Sequence, residues 1–398
     1  MTSLPDYRDA LNQALAVVEP LPGTETIQLE SCAGRVLAET ITADRDLPPF
    51  NRAQMDGYAL RASELGQLTE WPVITSIPAG NPGDVVVPPG QCVMIATGAP
   101  LPDDVDTVIQ HELSDRGDPV HFTIDKVEPG RAVHPRGVDA KTGDTLIEPP
   151  VVLAAHHLGI AASAGKASLQ VAIRPRVTIL SSGDEIVAVG SDVLPHQIRN
   201  SNGLQTAELL RRFGADPSAI IHVHDELDET IDAVRTAIDS SDLIITIGGI
   251  SAGVRDHFPV AFETCGIESA LHRASIQPGK PIMVGRAPDG TIIVGLPGNP
   301  VSALVCACIF IWPIVRVMLG LSPDLPWRKV DLAEEVKANP NRRAFRPARL
   351  IDMNTIVVPK WAGSGDLAHT THTDGFVELP VQDEPVMTGT KLRFLAWP

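Results

Sequence analysis

Between residues 176 and 319, short apolar runs alternate with segments of helical period. The runs at 177–180, 219–223, 243–247 and 291–294 are aliphatic and mostly β-branched, with little polar alternation, as in strands covered on both faces. Between them, 202–213 and 229–238 repeat apolar positions at helical spacing; Leu204, Leu209, Leu210 and Phe213 belong to the first. This alternation predicts a parallel, doubly wound α/β sheet. Such sheets bind ligands outside the carboxyl ends of their strands. Five polar or Gly/Pro-rich turns fall at strand ends: 182–185, Asp225, 248–256, 278–281 and 297–300.

The flanking patterns differ. Residues 6–20 read as an amphipathic helix with Leu11, Ala14, Leu15 and Val18 on one face. Short strands are predicted at 27–29 and 35–41. Residues 45–144 form a β-rich insert with runs at 73–77, 92–95, 107–110 and 121–124, separated by Pro and Gly turns. From about Pro323, runs at 330–336, 348–351, 355–358 and 391–395 predict a small terminal barrel or sandwich.

The turn Gly295-Leu296-Pro297-Gly298-Asn299-Pro300-Val301-Ser302 stands between a strand and a long apolar segment. Its prolines fix φ and remove two donors, and Asn299 or Ser302 can cap the following helix. A rigid helix start of this kind is an anion site. Pro278-Gly279-Lys280-Pro281, just upstream, adds a cation. The apolar run 301–319 approaches spanning length, but Ser302, Pro313 and Arg316 interrupt it, which favours a buried helix.

The net charge of −17 argues against nucleic acid and anionic membranes as partners. An anionic substrate must therefore meet a local cluster of N–H groups and cations. Arg131, Arg136, Lys280, Arg343 and Arg346 sit near glycines and prolines and are candidates. The five cysteines, Cys32, Cys92, Cys265, Cys306 and Cys308, are widely spaced with no CxxC, which predicts a reduced, cytoplasmic setting without disulfides or a zinc site. The N-terminus, with Asp6, Arg8 and Asp9, reads as no signal peptide.

No Walker sequence and no GxGxxG occurs, so the usual nucleotide fingerprints are missing. Gly248, Gly249, Ser251 and Gly253 can still present a nest of N–H groups to phosphate. Asp184, Glu185, Asp225 and Asp256 stand at or near the same sheet edge, and Mg²⁺ reconciles such acids with phosphate oxygens. Taken alone, Asp56 in Met55-Asp56-Gly57-Tyr58-Ala59 and Thr97 in Thr97-Gly98-Ala99-Pro100 read as turn residues. The histidines form no metal-ligand spacing, and GxSxG and HExxH are absent.

In order along the chain these motifs, with Ser182-Gly183-Asp184-Glu185, Asn200-Ser201-Asn202-Gly203 and Gly363-Ser364-Gly365, closely resemble the MoeA family of molybdopterin molybdenumtransferases and the matching domain of gephyrin. The resemblance runs essentially end to end. It implies a multidomain α/β protein: a doubly wound α/β molybdopterin-binding domain (174–322), a β-rich insert (45–144), a small linking domain in two parts (1–44 and 145–173) and a C-terminal β-barrel (323–398). It implies insertion of molybdate into adenylylated molybdopterin, with Mg²⁺-dependent release of AMP. The alternatives are a molybdopterin adenylyltransferase and a non-catalytic pterin-binding scaffold.

The resemblance also assigns roles. Asp56, Thr97, Glu185, Asp225 and Asp256 become catalytic, the last three as candidate Mg²⁺ ligands. Gly248, Gly249, Ser251, Gly253, Pro278, Gly279, Pro297, Gly298, Asn299, Pro300 and Ser364 become substrate-binding, and Lys280, Ser302 and Arg346 resemble the molybdate-holding group. A homodimer with its active site between subunits is implied. So are an upstream molybdopterin adenylyltransferase and downstream molybdoenzyme apoproteins or chaperones as partners. Departures from the family pattern are Gln277 where Lys or Arg is frequent, Ile250 and Ala252 where Val is common, Ser182 for Thr, and Ala53 for Ser.

Overall fold

The computed structural model describes residues 4–250 and 256–398. The chain divides into two compact units, one of residues 1–25, 34–36 and 171–398, the other of 26–33 and 37–170.

The first unit carries a six-stranded sheet in the order Asp216–Val223, Arg176–Ser182, Leu243–Ile247, Ile292–Leu296, Met283–Arg286, Glu268–His272. The first four strands are parallel, in register through Arg176↔Asp216, Val177↔Leu243 and Leu243↔Ile292. Met283–Arg286 runs against them, with Met283 opposite Gly295, and Glu268–His272 pairs antiparallel with it, Glu268 opposite Arg286, and so runs the same way as the first four. The expected parallel sheet is therefore mixed. A short turn at 287–291, closed by Ala287 N–H to Thr291, joins two of these strands, and a turn that short permits only an antiparallel return.

All five residues of Leu243–Ile247 are buried, and they alternate between two cores. Ile244 packs with Val234, Phe258 and Phe262 on one face. Leu243 and Ile245 join the cluster of Leu209, Leu210 and the helix starting at Pro300 on the other. Burial on both faces is why the run shows no polar alternation.

The helix Pro300–Met318 is 19 residues long with mean hydropathy 2.2, and 83% of its most apolar window is buried inside the protein. It is the core helix of the domain. Residues Ala307–Ile311 widen to a π turn just ahead of Pro313. Proline lacks an N–H and clashes with the carbonyl four residues back, and the wider turn accommodates both.

The N-terminal helix runs Tyr7–Leu15, shorter than 6–20; Asp6 caps it by accepting from Asp9 N–H at 3.0 Å. Pro20 and Pro22 lie beyond its end and bias their preceding residues toward extended backbone. The C-terminal strands Arg343–Leu350, Thr355–Val357, Arg328–Leu332, Lys391–Ala396 and Gly375–Leu379 close into a five-stranded barrel, because Arg343–Leu350 pairs with Gly375–Leu379 as well. Closure decides between barrel and sandwich.

In the second unit, Val73–Ile77, Cys92–Ile95, Gly57–Leu60 and Thr107–Gln110 form a four-stranded sheet in that order. The run at 121–124 is not a strand. Asp115 accepts from the backbone N–H groups of Gly117 and His121 and contacts the His121 ring, so its side chain takes donors that a ladder would need.

Candidate active site

Four chain segments reach one edge of the α/β sheet, and each leaves a turn there. Ser182 ends its strand and is followed by Gly183-Asp184-Glu185; Asp225 follows Val223; Gly248 and Gly249 follow Ile247; Pro297 follows Leu296. Together they line a cavity of about 710 Å³. Glu185, Asp225 and Asp256 all face it, with Gly248, Gly249, Pro297, Gly298, Asn299 and Pro300.

The glycines are needed for close approach. Gly249 has φ +61°, and a Cβ there would lie 2.8 Å from Ser182 Oγ and 3.0 Å from the Phe258 ring. Gly248 N–H donates to the Leu296 carbonyl at 3.1 Å, so the expected phosphate nest has one fewer open donor. Ser251 and Gly253 lie outside the described residues.

Two helix starts open onto this cavity. In Ser201–Phe213, Asn200 is a working N-cap whose side chain accepts from Gly203 N–H at 2.9 Å. Asn202 reaches across to donate to the Gly298 carbonyl at 2.7 Å. In Pro300–Met318, Asn299 occupies the cap position and Pro300 the first turn, but the Asn299 side chain makes no cap. Its amide donates instead to Ser364 Oγ at 3.0 Å, and Val301 N–H donates to the Ser364 carbonyl. Ser302 lies buried inside the helix and does not cap it either.

Behind the 297–300 turn lies a second cavity, of about 520 Å³. Pro281, Pro297 and Asn299 border both, so this turn is the ridge between them. The second cavity is lined by Pro278, Gly279, Lys280, Ser302, Ser364, Arg342 and Trp361, with no carboxylate among the described lining residues. Gly279 holds φ +105° and a Cβ there would come 2.2 Å from Cys306 Sγ, so only glycine fits. Gln277 accepts from Asn339 Nδ2 at 2.5 Å. Arg346 lines neither cavity; its guanidinium stacks 4.7 Å over Trp361, and burial pulls its pKa down to about 10.

The two cavities thus differ in charge. The larger carries three acids and Arg199, the smaller Lys280 and Arg342. Arg199, Arg342 and Trp361 are lining residues that sequence patterns did not single out. Two residues expected among the oxyanion cations are engaged elsewhere: Arg343 pairs with Glu378 at 2.8 Å and Arg136 with Asp46 at 2.7 Å.

Near the acids, Asp225 N–H donates to Asp184 Oδ1 at 3.2 Å, and His257 Nε2 lies 3.1 Å from the Asp225 carbonyl. Among the described residues no three His, Cys, Asp or Glu side chains are gathered tightly enough to hold a metal by themselves.

Asp56 and Thr97 belong to the second unit. Asp56 ends its turn with Oδ1 accepting from Thr97 N–H at 2.7 Å and from Thr97 Oγ1 at 2.9 Å. These two bonds, the backbone one first, hold the exposed Asp56 carboxyl below the usual range.

Known proteins match the whole chain. The family model of the MoeA N-terminal region (domain I and II) matches residues 6–165, that of a "probable molybdopterin binding domain" residues 179–317, and that of the MoeA C-terminal region (domain IV) residues 329–397. The molybdopterin molybdenumtransferase of Synechocystis is 32% identical over 381 residues, covering 94% of this chain and 95% of the relative. Molybdopterin molybdenumtransferase 2 of Mycobacterium tuberculosis is 32% identical over 407 residues, covering 99% of each. The crystal structure of the molybdopterin biosynthesis MoeA protein of Pyrococcus horikoshii superposes with a TM-score of 0.82 at 28% identity, over 100% of both chains. The chain belongs to the MoeA family of molybdopterin molybdenumtransferases.

Proposed function

We propose that this member of the family inserts molybdate into adenylylated molybdopterin and releases AMP. The observation that carries this reading is the pair of cavities of opposite charge that share the 297–300 ridge. A tetrahedral oxyanion suits the smaller one, where Lys280, Arg342 and the Ser302 and Ser364 hydroxyls can donate and no carboxylate among the described residues competes. The phosphoanhydride and adenylyl group suit the larger one, against the two helix starts. Pro281, Pro297 and Pro300 fix the ridge, which holds the two substrates at a set separation.

The donor set fits Mg²⁺. Glu185, Asp225 and Asp256 are hard oxygen ligands lining one cavity, spread rather than clustered, and Mg²⁺ is commonly bound by one or two carboxylates together with substrate phosphates and water. When bound, the ion would neutralise charge on the departing AMP phosphate. The residues themselves orient the anhydride for attack by water at one phosphorus: a P–O bond forms to the water oxygen as the bridging P–O bond breaks, AMP and the molybdopterin phosphate separate, and the water proton passes to solvent. Asp56, with its depressed pKa, is a weak proton acceptor at neutral pH and acts here as an anionic hydrogen-bond acceptor.

We further place Asp56 and Thr97 at the cavity of a second copy in a homodimer. The support is their position in a separate compact unit, together with the family resemblance. A cytoplasmic setting suits the buried, unbridged thiols of Cys92, Cys306 and Cys308, and a preceding adenylyltransferase would supply the substrate.

The test is AMP release from adenylylated molybdopterin with molybdate or tungstate. Asp256→Asn should keep the fold and lose turnover, and Lys280→Ala should raise the molybdate KM more than it lowers kcat. Wild-type kinetics in both variants would refute the assignment.

A further inference from the structure

A second charged groove lies away from the site, where the N-terminal helix meets the start of the barrel. Its volume is about 630 Å³, and Arg8, Trp327, Arg328, Lys329 and Arg393 line it. In a chain of net charge −17, four cations stand here against one lining carboxylate, Asp324, which accepts from the Ser322 hydroxyl at 2.6 Å. Arg393 is committed: it donates to Glu378 at 3.0 Å and stacks 4.5 Å over Trp327. Arg328 lies 5.0 Å over the Phe394 ring. Among the described residues Arg8, Arg328 and Lys329 have no carboxylate partner.

The groove also borders an open strand edge. Arg328–Leu332 pairs with Lys391–Ala396 through residues 328–331, but with Thr355–Val357 only at Asp331 and Leu332. Asp331 N–H donates to the Asn354 carbonyl at 2.7 Å on that second side. Hydrogen-bonding direction alternates along a strand, so Lys329, two residues earlier, turns its backbone groups to the same side, past the end of the short strand.

We propose that this groove docks an extended acidic segment of a partner protein. The segment adds a strand at Lys329, and its carboxylates meet Arg8, Arg328 and Lys329. The free edge favours a peptide over a free anion, because main-chain pairing is what an edge offers. The unpaired cations select an acidic one. This docking is independent of the transfer reading.

The probe is a fluorescein-labelled peptide alternating Glu and Val, titrated into the full chain and followed by anisotropy. Saturable binding that weakens with salt is expected. Arg8→Glu and Lys329→Glu should each weaken it at least about tenfold, with circular dichroism and molybdenum transfer unchanged. A peptide N-methylated at every residue should lose binding, since its main-chain donors are gone. Equal binding of a Lys-for-Glu peptide, indifference to charge reversal, or ATP displacing the probe while N-methylation has no effect would overturn the proposal. So would a change of oligomeric state in the charge-reversed variants, which would make the groove a contact between copies.

Discussion

At the scale of single residues, the Asp56–Thr97 pair offers a pH signature. Two donors favour the charged carboxylate and depress its pKa. Thr97→Val removes the hydroxyl and keeps the N–H, so the Asp56 pKa rises. The carboxylate is then protonated at a higher pH, and the acid limb of kcat/KM against pH should move upward while the alkaline limb stays. An unmoved acid limb would show that turnover does not depend on Asp56 ionisation. Gly279 gives a packing signature. Gly279→Ala meets Cys306 Sγ and a left-handed φ of +105°, and should cost about 2–4 kcal/mol in urea denaturation. Adding Cys306→Ala relieves the contact but not the backbone strain, so the double variant should recover only part. Gly279 was readable in the sequence because Gly and Pro in fixed strings announce turns, whereas Asp56 and Thr97 read by themselves only as turn residues and were singled out by the family resemblance. Arg199, Arg342 and Trp361 were not readable, because a lone cation or aromatic carries no local pattern, and only the folded register brings it to a cavity wall.

At the scale of elements, two asparagines at two helix starts should behave oppositely. Asn200 bonds Gly203 N–H, so Asn200→Ala loses a real cap and should cost about 1 kcal/mol. Asn299 is exposed and bonds Ser364 instead, so Asn299→Ala should stay within about 0.5 kcal/mol of wild type in thermal or urea unfolding. Its effect should fall on substrate KM, because it ties the ridge to the Ser364 loop. Equal destabilisation by the two substitutions would mean that Asn299 caps after all. Asn-Pro after a strand announced a helix start correctly. It could not say where the amide points, since Ser364 is remote in sequence. The same limit applies to sheets. The run Leu243–Ile247 was legible from its burial pattern, whereas the antiparallel return of Met283–Arg286 and the closure of the barrel by Gly375–Leu379 depend on pairing between distant segments.

At the scale of the whole molecule, the proposed homodimer raises the question of which copy would supply Asp56. The acids of the larger cavity and the Asp56–Thr97 pair lie in different compact units of one chain, so a chain could use its own Asp56 or that of a partner. Mixing decides. Asp56→Asn and Asp256→Asn are each expected to be inactive as pure proteins, and both replace a carboxylate by an isosteric amide at a position that is not deeply buried. If the site is completed by a second copy, a mixed dimer has one cleft with both acids intact and one with both lost. Random pairing makes half of the dimers mixed, so co-expression should restore about a quarter of wild-type AMP release. If each chain uses its own Asp56, every cleft in every dimer lacks one acid, and the mixture stays at background. The outcome is all-or-none at the level of mechanism and does not depend on either variant's affinity for substrate. A recovered rate that scales with the product of the two variant fractions, peaking at equal amounts, would fix the homodimer as the catalytic unit.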